Sequence, residues 1–282
     1  MTRSTEAQRV APFTGEGAYH GSTKQESLER RLAPPPPVVD EMRPTTLERY
    51  STPRAIASFE ATFPNRYELL AQLRVPSQDE IRSDGPTFVW APFEQALAEA
   101  GPLTREVLEA MEPHLLRTKR HVYIDSKVQF FEPGDVPVDS RHWHVDGTIT
   151  ARGPVVEGLG FPLLHDMRAR LEAPALVPQL ISYQSSDHCA TEFLTRPLEL
   201  PLPELIPNFD RLDEDVRALH PRATSQPAAS LVRFDGLSLH RAVAARSAGW
   251  RLWVRCMETD REVHPNPRVR DCYGTVFRLA AS

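Results

Sequence analysis

Proline constrains this chain more than any other residue type. It supplies 27 of 282 residues, against 13 glycines, where ordinary usage is about 5%. A proline inside a helix removes a hydrogen bond and clashes with the preceding turn, whereas loops and edge strands accept it. Long helices are thereby disfavoured, and a mainly β body with long connections and flanking helices is expected. With 40% hydrophobic residues the chain can bury a sizeable core. A net charge of -5 and a pI near 6.1 give no global basic field for nucleic acid or anionic membrane. No apolar run approaches the roughly 18 residues of a membrane span, and Met1 to Glu6 lacks the apolar core of a signal peptide. Cys189, Cys256 and Cys272 are odd in number and without metal-type spacing. A reducing cytoplasm is the expected location.

Residues 1–50 read as a polar extension, with a short helix over Lys24 to Leu32 and a polyproline spacer, Pro34 to Pro37. The remainder, 51–282, reads as one domain with helical support over 51–118 and a strand-rich core over 119–282. Pro53 to Leu73 looks partly helical, divided by Pro64. Phe88-Val89-Trp90 reads as a short strand. Phe93 to Ala100 and Thr104 to Leu116 carry apolar residues at helical spacing, with Thr104 as a cap for the second helix. From His121 the period changes to that of strands, seen at His121 to Ile124, Val128 to Phe131, Leu176 to Gln184, Thr191 to Leu194, Ser230 to Phe234, Leu237 to Val243, Trp250 to Met257 and Tyr273 to Leu279. Pro197 to Pro207 reads as loop and Leu212 to Leu219 as a short helix. The basic run Arg117, Lys119, Arg120, His121 and Lys127 reads as solvated surface.

Chemistry concentrates in two neighbouring stretches. Val128 to Phe131 enters a Pro133-Gly134 turn, and Arg141-His142-Trp143-His144-Val145-Asp146 follows. Side chains on a strand alternate faces, so His144 and Asp146 point the same way and Trp143 the other, towards a core. An imidazole and a carboxylate on one face supply two members of a facial metal triad, and a distal His completes it. His240, just after an Asp235-Gly236 turn and 94 residues beyond Asp146, suits that place. Arg251 lies 11 positions further on. His114, His121, His165, His188 and His220 read as ordinary structural or surface residues.

The set His144-Val145-Asp146, His240, Arg251, with Pro133-Gly134 ahead of it and Phe234 leading into His240, resembles the 2-oxoglutarate- and iron(II)-dependent dioxygenase superfamily over roughly 120 to 260. The resemblance implies a double-stranded β-helix, a cupin-like jelly roll. It implies Fe(II) held by His144, Asp146 and His240, with 2-oxoglutarate as co-substrate. Arg251 would hold the far carboxylate of 2-oxoglutarate through its planar fork, and Arg255, on the same strand face, is the second choice. Oxidative decarboxylation to succinate and CO2 would drive hydroxylation or another oxidation of a second substrate.

His142 shares the face of His144 and Asp146. It reads either as a substrate-binding neighbour of the site or as a structural residue bonded to backbone. A cupin-type His-x-His at His142 and His144 wants a glutamate several residues on, and none follows. A small-molecule substrate is expected, with nucleic acid and protein substrates left open, and no membrane partner. Two alternatives stand beside this reading: a cupin-type metal enzyme that does not use 2-oxoglutarate, and a non-catalytic jelly-roll binding module.

Overall fold

The computed structural model describes residues 58–137, 142–146, 170–203, 209–262 and 277–278. The extension over 1–50 lies outside them, as do residues 147–169 and Cys272. The strands are β1 (Ser58–Phe63), β2 (Tyr67–Gln72), β3 (Ala91–Pro92), β4 (His121–Phe131), β5 (Asp135–Val136), β6 (Gln179–Gln184), β7 (Thr191–Leu194), β8 (Leu198–Pro203), β9 (Ala223–Ser225), β10 (Ser230–Asp235), β11 (His240–Ala242), β12 (Gly249–Thr259) and β13 (Phe277–Arg278). The helices are α1 (Gln78–Ser83), α2 (Phe93–Glu99), α3 (Pro102–Met111) and α4 (Phe209–Ala218). The protein is thus mainly β, with antiparallel sheets and few helices. No helix among the described residues is long and apolar enough to cross a membrane.

The principal sheet has six strands in the order β2-β10-β6-β12-β4-β3. Its centre is β12, paired along its whole length with β4 and over six residues with β6. Alternation divides β12 cleanly. Leu252, Val254 and Cys256 face a buried cluster built with Ile81, Phe93, Leu103, Val107, Leu108 and Met111 of the three N-terminal helices. Arg251, Trp253, Arg255 and Met257 face the other way. On that inner face stand Gln129, Lys127, Asp125 and Tyr123 of β4, and Gln184, Ser182 and Leu180 of β6, each opposite its β12 partner. A three-stranded sheet, β11-β7-β9, extends by a bridge between His144 and His240. Its Phe193 packs with Tyr123, Leu180, Phe234 and Met257 of the larger sheet in one buried cluster.

Several expectations are corrected here. Among the described residues of 51–118, the α-helices lie between Gln78 and Met111, followed by a 3-10 turn at Glu112–His114. Residues 58–72, read as partly helical, form β1 and β2. In β1, Ala61 and Phe63 are buried while Glu60 and Thr62 are exposed, a period of two. In β2, Tyr-Glu-Leu-Leu-Ala-Gln is rich in helix formers, and pairing with β10 overrides that local preference. The expected strand at Phe88–Trp90 does not form; the two-residue β3 follows it at Ala91–Pro92. Trp90 has φ 48°, and the chain there is pinned by Phe88 N–H to Ser126 Oγ at 2.9 Å and Trp90 N–H to Asp125 Oδ1 at 2.8 Å. The second helix begins at Pro102, not Thr104, as suits proline at the first helical position. Pro197 to Pro207, read as loop, contains β8, which pairs with β1 in a two-stranded sheet. Pro201 and Pro203 cost little there, because neither needs to donate into a wider ladder.

Candidate metal centre

Two backbone features bring His144 and His240 together. His144 N–H donates to His240 C=O and His240 N–H to His144 C=O, both at 3.0 Å. This reciprocal antiparallel pair puts the two side chains on one face, with ring centroids 4.4 Å apart. Each imidazole is then fixed by the carbonyl two residues before it. His144 Nδ1 lies 2.8 Å from His142 O, and His240 Nδ1 lies 2.9 Å from Ser238 O. A carbonyl only accepts, so each Nδ1 carries the hydrogen and each Nε2 keeps its lone pair for another partner.

Both Nε2 atoms turn towards Asp146, at 3.9 Å from Oδ1 for His144 and 3.3 Å from Oδ2 for His240. One donor atom from each of the three residues falls within 4.8 Å of the others. Donors about 2 Å from one first-row divalent ion lie no more than about 4 Å apart, and the two His–Asp separations fall within that bound. Burial pushes the His144 imidazole down to about 4, assisted by repulsion from His240. It is neutral at physiological pH, as a ligand must be. Burial alone would raise the Asp146 carboxyl, yet Arg255 and the two imidazoles hold it well below the usual carboxylate range. Phe193 stacks on His240 at 5.4 Å and Phe234 meets its edge at 5.3 Å, so apolar surface backs the site.

The sequence-predicted residues separate as follows. His144, Asp146 and His240 converge. Arg251 faces the same interior, 3% exposed. Its Nη2 reaches only neutral groups, Gln184 Oε1 at 3.3 Å and Thr191 Oγ1 at 3.4 Å, and its buried Nε has no partner among the described residues. Burial lowers its pKa. Arg255 is engaged by acids instead, donating from Nη1 to Asp146 Oδ2 and from Nη2 to Asp125 Oδ2 at 2.6 Å. His142 enters the site through its main-chain carbonyl. Trp143 is core, as its alternation predicts, 2% exposed beside Phe63 and Leu239.

Lys127 corrects one expectation. It was grouped with a solvated basic run, but it is buried on the inner sheet face with Nζ 5.4 Å from the Trp253 ring centroid. Burial, then repulsion from Arg255, pushes its ammonium down to about 8. Asp125, Arg170 and Asp213 were missed entirely. Arg170 Nη1 donates to Asp146 O at 3.0 Å, passing close by Gly236, where a Cβ would lie 3.0 Å from it. Asp213 Oδ1 accepts from Trp143 N–H at 2.9 Å. For Asp125 a signal existed: Asp125, Lys127 and Gln129 place polar groups at period two in an otherwise apolar strand, opposite Arg255, Trp253 and Arg251. Arg170 and Asp213 act from distant segments and have no such local signature.

No protein-family model matches the sequence, and no curated protein matches it. Among solved structures, the chain is similar to that of AviO1 from Streptomyces viridochromogenes Tue57, with 17% identity and a TM-score of 0.25. The match spans about half of each chain, 52% of this one and 53% of that one. At that score the overlap fixes neither fold nor activity.

Proposed function

We propose that this protein is an Fe(II)- and 2-oxoglutarate-dependent oxygenase built on a double-stranded β-helix, acting on a second, small-molecule substrate. The observation that carries the reading is the pairing of two features on one interior. In the His144–Asp146–His240 donor cluster both Nδ1 atoms are committed to backbone carbonyls and both Nε2 atoms turn towards the Asp146 carboxylate. A buried Arg251 faces the same interior with only neutral partners among the described residues. An uncompensated buried guanidinium is costly, and a carboxylate is the ligand its fork fits best. A 2-oxo acid with a second carboxylate answers both features. Iron, when bound there, supplies the redox chemistry; the protein orients both substrates and excludes water. The principal sheet and the smaller β11-β7-β9 sheet would be the two halves of the β-helix. A reducing cytoplasm suits Fe(II) and the two buried free thiols, Cys189 and Cys256.

The test is succinate formation by anaerobically iron-loaded protein on exposure to oxygen with 2-oxoglutarate. Succinate that requires both iron and 2-oxoglutarate, and disappears in His144→Ala, is expected. Iron binding with no 2-oxoglutarate consumption would instead favour a cupin-type metal enzyme.

A further inference from the structure

The bridge from Asp146 through Arg255 to Asp125 is more than an ion pair beside the site. Arg255 lies on β12, flanked by Asp125 of β4 and Ser182 of β6 in register. Asp125 is 1% exposed, and its two oxygens are divided between two tasks. Oδ1 accepts the Trp90 N–H at 2.8 Å, which ties it to the backbone before β3. Oδ2 accepts from Arg255 Nη2 at 2.6 Å. One prong of the guanidinium is therefore anchored to the sheet. The other, Nη1, donates to Asp146 Oδ2, and the group lies against Trp253, 5.2 Å from its ring centroid.

We propose that Arg255 is a positioning residue that holds one oxygen of Asp146, so that this carboxylate grips a metal through a single atom, and that Asp125 aims and neutralises Arg255. The inference rests on the reading of the triad as a divalent-metal site. A carboxylate gripping with both oxygens would fill one of the three positions that a two-His, one-carboxylate set leaves open. A hydrogen bond to the second oxygen competes for its lone pairs and favours the single-atom grip, and such supporting partners set metal affinity. Asp125 offsets the guanidinium charge, which would otherwise oppose a cation nearby. A lysine reaches one acid or the other but lacks the planar fork that spans both.

The experiment titrates full-length protein with Mn(II), following free ion by electron paramagnetic resonance, for wild type, Arg255→Gln, Arg255→Lys, Asp125→Asn and the Asp125→Asn/Arg255→Gln double variant. The thermal midpoint of each metal-free protein is measured in parallel. Arg255→Gln should weaken Mn(II) binding about 10- to 100-fold, with Arg255→Lys recovering only part and Asp125→Asn losing less in the same direction. The double variant removes the buried Asp125–Arg255 charge pair as a unit and leaves only Asp146, 20% exposed, without its guanidinium. It should keep the wild-type midpoint to within a few degrees while still binding Mn(II) weakly, which separates positioning from fold. Wild-type or tighter Mn(II) affinity in Arg255→Gln, or in the double variant should the single one not fold, overturns the inference. No Mn(II) binding by wild type overturns the metal-site reading itself.

Discussion

At the scale of single residues, the site depends on protonation states set by burial. His144, pushed down to about 4, is an imidazole that the folded protein keeps neutral. An unfolded histidine titrates near 6.5. Between about 6.5 and 4 the unfolded chain therefore binds the proton that the folded one refuses, and stability present above that window is lost as pH falls through it. His188, also lowered by burial, acts in the same direction. The thermal midpoint of metal-free protein should fall across this range, and His144→Gln should flatten the slope without removing the share due to His188. A slope unchanged by that substitution would mean that His144 is already protonated in the fold. Arg251 gives a second residue-scale expectation. A hydrogen bond to a charged group contributes roughly 1.5 to 3 kcal/mol, so Arg251→Ala should raise the apparent KM for 2-oxoglutarate about tenfold to a hundredfold. Arg251→Lys should recover part of the loss. An unchanged KM in both would count against 2-oxoglutarate. The convergence of His144, Asp146 and His240 was legible in sequence because period-two spacing and an Asp-Gly turn are local signals. Arg255 lies on the expected face, and its acidic partners at positions 125 and 146, which only the sheet brings together, were not legible.

At the scale of elements, β12 and β4 organise the molecule; β12 was visible over Trp250 to Met257, whereas β4 is one strand where two, His121 to Ile124 and Val128 to Phe131, were expected. Their polar inner faces were not read correctly. Lys127 sits in a sequence that looks basic and solvated, and only its register opposite Trp253 reveals that it is buried. β1, β2 and β8 were missed for different reasons: a helix-forming composition in β2, a short alternation in β1, and prolines in β8 that an edge pairing tolerates. Of the helices that cover the outer sheet face, α2 and α3 were legible, but α1 and its joint to α3 were not. Asp84, at the end of α1, accepts Leu103 N–H at 2.9 Å and Thr104 N–H at 3.2 Å, capping α3 from a distance. Asp84→Ala should destabilise the protein by about 0.5 to 2 kcal/mol, as loss of a helix cap does, while leaving metal affinity unchanged. Denaturant unfolding and a metal titration on the same variant check both parts. A change in metal affinity would show that the outer helices and the site are coupled.

At the scale of the whole molecule, one face of the principal sheet is a conventional apolar core and the other is charged. Lys127, Arg251 and Arg255 share that inner face with Asp125, Gln129 and Gln184. A protein that needed only a stable sandwich would fill the space with aliphatic side chains, because buried ions cost more than they return unless each is paired. The polar interior meets the His144–Asp146–His240 cluster through Arg255, and under the proposed function it would serve a metal and an anionic co-substrate. The most direct measurement is the iron content of anaerobically loaded, full-length protein for wild type, His144→Ala, Asp146→Ala and His240→Ala. One Fe(II) per chain in wild type, lost in each variant while the fold persists, is the predicted result. Iron retained at the wild-type level in all three variants would contradict the assignment of these residues as its ligands.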